Sequence, residues 1–279
     1  MNEMRFQDQV VFITGAARGQ GRAHALAFAR EGAHLVICDT SQTYASVPYA
    51  LGSQDELAQV VRDIEMMGRR VIALDADVTD MHAMNQLVNM ALHQFGPIDI
   101  VVANAGLYSF GSTWELTEQQ WDETLAVVLK GVWLTCKAAI PHMMAQRKGK
   151  IICTASTGSF KGLPGLGHYV AAKHGVVGLV KTLAIELAPY NINVNAICPT
   201  TVDTGIVNNQ AFFDYFAGSP GPTATREYVI ARMNEMNLFV DRGMLAPEDI
   251  SKVVLWLASD EARAITGYAL PIDAGFLTR

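Results

Sequence analysis

Long apolar runs are missing from this chain of 279 residues. No stretch reaches 18 uninterrupted apolar residues, so no membrane span is expected. Charge is scarce as well. Asp, Glu, Lys and Arg make up 17% of the residues and apolar types 50%, which implies a large core and excludes a disordered chain. The net charge is −6 and no long basic run occurs, which argues against nucleic acid as a partner. The four cysteines, Cys38, Cys136, Cys153 and Cys198, are scattered with no C-x-x-C pair. Free buried thiols in a reducing cytoplasm are therefore expected rather than disulfides. The seven histidines form no H-x-x-x-H spacing, so no metal site is expected. Met1 to Gln9 is polar and lacks the apolar core of a signal peptide. There is no repeat, low-complexity tract or linker, and residues 1–279 read as a single domain.

What is present is a regular alternation. Short β-branched runs, each expected to be a buried strand, are Val10–Thr14, His34–Cys38, Val71–Leu74, Ile98–Ala103, Lys150–Thr154, Asn193–Cys198 and Tyr268–Ile272. Helical patterns fall between them: Ala23 to Gly32, Asp55 to Met67, Asp80 to Phe95, a long one from Leu116 to Met144, one to about Ala188, and Pro247 to Ser259 with proline in its first turn. Strict alternation predicts a Rossmann-type doubly wound parallel sheet with helices on both faces. Such sheets bind ligands at the C-terminal ends of their strands. Gly15, Asp39, Asp77, Asn104, Ser156 and Pro199 all stand at those ends.

The first strand runs into Gly15-Ala16-Ala17-Arg18-Gly19-Gln20-Gly21, and a helix follows. Glycines there let the backbone turn tightly against a pyrophosphate, whose charge the helix N-terminus stabilises. Asp39 ends the second strand, about twenty residues on, where a carboxylate accepts both hydroxyls of an adenosine ribose and repels a 2′-phosphate. Asp39 argues for NAD; Arg18, a base in the glycine turn, argues the other way. Thr40 to Ser53 has no periodicity and exceeds the usual βα connection of about 2–6 residues. It is either a surface excursion or a flap over the adenosine end of a cofactor. The segment from about 205 to 245, with Phe212, Phe213, Tyr215, Phe216 and Met233 and the turn Gly218-Ser219-Pro220-Gly221-Pro222, is either a lid over an apolar substrate or a subunit contact.

Tyr169 and Lys173 lie four residues apart in an Ala/Val-rich helical run, which puts them on one face about 6 Å apart at Cβ. A free phenol has a pKa of about 10. A cation about 4 Å away at an effective dielectric of ~20 supplies roughly 4 kcal/mol, at most ~3 pKa units, and brings the hydroxyl into range for acid–base work.

These stretches together resemble the short-chain dehydrogenases/reductases over nearly the whole chain: Thr14 to Gly21, Asp77-Val78, Asn104-Ala105-Gly106, Ser156, Tyr169-x-x-x-Lys173 and Asn193-x-Asn195-x-Ile197-Cys198-Pro199. The resemblance implies that Tyr169 handles the proton of the substrate hydroxyl, that Lys173 lowers its pKa and holds the nicotinamide ribose, and that Ser156 bonds the substrate oxygen. It implies further that Gly15, Arg18, Gly19, Gln20 and Gly21 surround the pyrophosphate, that Asp77 and Val78 meet adenine, and that Asn104, Ala105 and Gly106 lie beside the riboses. Pro199, Val202 and Thr204 complete the implied cofactor contacts. Gly19-Gln20-Gly21, the insert with Ser46-Val47-Pro48-Tyr49, and Pro199-Thr200-Thr201-Val202-Asp203-Thr204 are similar to the carveol-dehydrogenase-like subgroup. That subgroup implies oxidation of a hydrophobic cyclic or terpenoid secondary alcohol, an insert covering NAD, and the external carrier mycofactocin; the family also implies a homotetramer. One position departs. In Val127-Val128-Leu129-Lys130-Gly131, Val128 stands where the family has the Asn of N-x-x-G. That departure leaves open a non-catalytic NAD-binding protein, as Arg18 leaves open an NADPH-dependent ketone reductase.

Overall fold

The structure, a computed structural model, describes residues 4–218, 221 and 224–279. Seven strands form one sheet: β1 (Val10–Thr14), β2 (His34–Asp39), β3 (Val71–Asp75), β4 (Ile100–Ala103), β5 (Gly149–Thr154), β6 (Ile192–Pro199) and β7 (Ala269–Ile272). They pair in parallel in the order β3-β2-β1-β4-β5-β6-β7. The chain winds outward from β1 to β3, then restarts beside β1 with β4 and winds the other way. That reversal opens a crevice above β1 and β4.

Period-two geometry sends alternate side chains to opposite faces. Val10 and Phe12 enter a core shared with α3 (Met81–Gln94), α5 (Val132–Gln146) and α6 (Gly167–Leu187). Val11 and Ile13 enter a second core with α1 (Gly19–Arg30), α2 (Gln54–Met66) and α9 (Pro247–Ala258). Both faces of β1 are dry, which is why its sequence is apolar throughout instead of alternating. Each such buried aliphatic or Phe side chain contributes about 1.5–3 kcal/mol. Helix starts follow local chemistry. Ser53 and Glu56 form a capping box at α2, and Thr117 and Gln120 form another at α4 (Glu118–Leu125).

The long helix predicted from Leu116 to Met144 is three pieces: α4, a π-helical turn over Ala126–Gly131, and α5. Gly131 lets the chain run close to the connection after β3. A Cβ on it would lie 2.5 Å from Cγ2 of Val78. Glu118–Gln146 has 29 residues, and one 18-residue window within it reaches a mean hydropathy of 1.4, long and apolar enough to cross a membrane. The apolar character of that window has a local cause, since 56% of it is buried in the protein, with these helices packed against β4, α3 and α6.

Beyond β6 the chain forms α7 (Gln210–Ala217) and α8 (Arg226–Met236). Of the predicted turn Gly218-Ser219-Pro220-Gly221-Pro222, residues 219, 220 and 222 lie outside the described residues.

Candidate active site

A cavity of about 520 Å³ lies at the C-terminal ends of the strands. It runs from the turn after β1 to α7 and α8, and every predicted site residue except Gly21 lines it.

The glycine turn comes first. Gly15 and Gly19 take φ of +68° and +56°, left-handed values that favour glycine. Gly21 sits behind the turn, where a Cβ would stand 2.0 Å from the Gly15 carbonyl oxygen. Its role is close packing of α1 on the turn. α1 has no side-chain cap and no acidic residue in its first turn, so its leading N–H groups are left to meet an anion. The Gln20 side-chain oxygen is buried beside them without a partner.

Asp39 is clipped into place from two sides. One oxygen accepts the Ala17 N–H and the other the Thr40 N–H, both at 2.8 Å. Burial raises its carboxyl pKa, while those two bonds and the Arg18 charge pull it down. Arg18 does not swing to solvent. Its guanidinium bonds the Ala50 carbonyl and packs beside Gly205. The base that argued for a 2′-phosphate is therefore already engaged with the 40–53 segment.

That segment is tied to the rest of the chain at several points. Tyr44 donates to Asp77 at 2.5 Å, Ser46 Oγ to Glu123 of α4 at 2.5 Å, and Gly52 packs against the Asp39 carboxylate. Tyr49 Oη accepts the Tyr108 N–H at 2.9 Å. Tyr44, Tyr49, Leu51 and Gly52 all line the cavity.

Under the middle of the cavity lies Asn104. Its amide donates to the carbonyls of Thr14 and Gly15 at 3.1 and 3.3 Å, and its oxygen accepts from Thr154 at 3.2 Å. One side chain thus ties together the ends of β1, β4 and β5. Ala105 packs on Gly15, while Gly106 leaves room beside Lys173 Nζ. Val78 fits against Gly131, and Pro199, Val202 and Thr204 form the wall after β6, with Thr204 touching Gly19.

Ser156, Tyr169 and Lys173 converge here. Ser156 Oγ caps a short turn by accepting the Gly158 N–H at 3.0 Å. Lys173 Nζ donates to the Thr154 carbonyl at 2.5 Å and stands 5.6 Å from the Tyr169 ring centre. The expected one-face geometry holds, but the expected lowering of the tyrosine pKa does not. Burial pushes Tyr169 up to about 12, with the Ser156 hydroxyl opposing, and pushes Lys173 down to about 8. At this depth the desolvation of each charged form is the largest cause of its shift.

The other end is aromatic and aliphatic. Phe212, Tyr215, Phe216, Met233 and Phe276 line it, and Tyr215 stacks on Phe110 with ring centres 4.7 Å apart. Tyr44, Tyr49, Tyr108 and Phe276 escaped prediction as individual site residues. Tyrosines in an insert with no periodicity are the one signal that marked two of them.

The family model for short chain dehydrogenases matches residues 9–212. The chain belongs to this family. As a short-chain dehydrogenase it is 40% identical to the (-)-trans-carveol dehydrogenase of Rhodococcus erythropolis, over 97% of this chain and 98% of that one. It is 41% identical to an uncharacterized NAD-dependent oxidoreductase of Mycobacterium tuberculosis, over 96% of each. The crystal structure of carveol dehydrogenase from Mycobacterium avium in complex with NAD superposes with a TM-score of 0.94, at 38% identity and over 99% of both chains. The doubly wound architecture is shared, and the relatives match the insert-bearing chain end to end.

Proposed function

We propose that this short-chain dehydrogenase uses NAD to interconvert a hydrophobic, cyclic or terpenoid secondary alcohol and its ketone. The observation that carries the reading is the convergence of Ser156, Tyr169 and Lys173 on one cavity between a dinucleotide-type turn and an aromatic chamber. The residues fit the cofactor on their own chemistry: uncapped α1 N–H groups for a pyrophosphate, an unpartnered Gln20 side-chain oxygen able to accept from a hydroxyl, and a clipped Asp39 for ribose hydroxyls. Asp77 and Val78 would hold the adenine end, Asn104 to Gly106 the ribose edge, and Pro199, Val202 and Thr204 the nicotinamide wall. When bound, NAD supplies the hydride acceptor.

The chain's own residues move the proton. Tyr169 takes it from the alcohol oxygen in oxidation and returns it in reduction. Lys173, held by the Thr154 carbonyl, is the cation placed beside the Tyr169 ring to favour the phenolate. Ser156 steadies the substrate oxygen as charge develops. Val128, 0% exposed in the π turn, supplies no side-chain group to this set. Purified protein given NAD and a panel of cyclic secondary alcohols is expected to form NADH. Tyr169→Phe should lower that rate at least about a hundredfold. Retained activity in the variant would remove Tyr169 from the mechanism.

The 40–53 segment acts as a strap over the cofactor end, and α7–α8 as a lid over the substrate end. Four separate anchors on the strap support slow cofactor exchange and reoxidation by an external carrier such as mycofactocin. Mass spectrometry of the denatured, purified protein should release NAD. Protein that carries none after rapid purification counts against the covered-cofactor reading.

A further inference from the structure

The two covers of the cavity meet at one residue. Tyr108 is 6% exposed. Its N–H donates to Tyr49 Oη on the strap at 2.9 Å, and its own hydroxyl donates to the Ile206 carbonyl, just ahead of the lid helix α7, at 2.8 Å. Its ring meets Tyr49 and Tyr169 edge-on, with centres 5.7 and 5.3 Å apart. The next residue, Ser109, is hydrogen-bonded to His168 at 2.9 Å, which anchors this stretch of backbone to α6 beside Tyr169. Both hydrogen-bond donors of Tyr108 are thus spent, one on each cover.

Burial makes this arrangement cooperative. If the strap lifts, the Tyr108 N–H is left inside without a partner. The segment then gains by moving, and movement strains the bond to Ile206. The same logic runs from lid to strap. Other anchors lack this link. Ser46 joins the strap to Glu123, and Tyr215 joins the lid to the Pro164 carbonyl at 2.7 Å; neither bond passes through Tyr108.

We propose that Tyr108 couples the strap to the lid, so that the cofactor end and the substrate end open and close as one unit. The naming of the two ends rests on the proposed function. The coupling itself is read from backbone opening, so the test stands whether or not an alcohol substrate is found. Hydrogen exchange by mass spectrometry is run on the full chain with saturating NAD. Tyr49→Phe is expected to speed exchange about tenfold, the worth of one hydrogen bond, in residues 43–52 and also in residues 204–216. Tyr108→Phe, which keeps the ring, should speed the same two segments. The double variant should fall well short of the product of the singles. Ser46→Ala and Tyr215→Phe should each loosen only their own cover. The proposal is overturned if Tyr49→Phe stays confined to the strap and Tyr108→Phe to the lid. It is equally overturned if the controls spread as far as the tyrosine variants, or if the double variant is the simple product.

Discussion

Tyr169 and Lys173 show what spacing alone conveys. Four residues on a helix fix a shared face, and the structure keeps it. What spacing cannot convey is depth: Lys173 is 3% exposed, and both members of the pair shift away from their charged forms. A second buried base lies outside the cavity lining, one turn along α1 from Gln20. His24 is 0% exposed and bonds Ser251 Oγ at 2.8 Å. Because Ser251 donates its proton to the Pro247 carbonyl at 3.0 Å, His24 Nδ1 must be the donor, and its Nε2 is left bare. Burial lowers its pKa to about 3. The unfolded chain takes up a proton near pH 6.5 and the folded one does not, so this stability is present above pH 6.5 and drains away as pH falls toward 3. By pH 5 the loss is about 2 kcal/mol. Urea melts at pH 7 and pH 5 should show it, and His24→Asn should flatten the difference.

At the level of elements, the strands and most helices were legible because a parallel strand buried on both faces must be apolar and β-branched, and because Gly15 and Gly32 punctuate the first βα unit. The break in the long helix was not. It ends at Gly131, which packs against Val78, a contact between segments far apart in sequence. The strap was legible from the residues as an anomaly of length and from the subgroup resemblance of Ser46-Val47-Pro48-Tyr49; its bonds to Asp77, Glu123, Arg18 and Tyr108 are ones that no local pattern encodes. Gly131→Ala tests the first of these. The new methyl must displace Val78, which lines the cavity, at a cost of about 1–3 kcal/mol. A lower melting temperature together with weaker NAD binding is expected. A fall in stability with NAD affinity intact would mean that Val78 does not shape the cofactor site.

Considered whole, the molecule leaves large apolar side chains outside. Trp121, Trp133 and Ile185, on α4, α5 and α6, are 37%, 41% and 77% exposed. We propose that these helices are the contact surface of a homotetramer; light scattering should give four times 30.3 kDa, and a Trp133→Glu/Ile185→Lys double variant should run smaller. The strand-end residues predicted from sequence all gather at one crevice because the winding reverses beside β1, a property of connectivity that alternation alone announces. Asp39 shows what that crowding entails. The same carboxylate that we propose meets the ribose also accepts the Ala17 N–H and packs against Gly52. Cofactor choice is therefore not a detachable trait of this chain. A redesign toward phosphorylated dinucleotides would have to give the glycine turn a new clip before it altered the charge, and an exchange at Asp39 alone would trade selectivity for the loss of both cofactors.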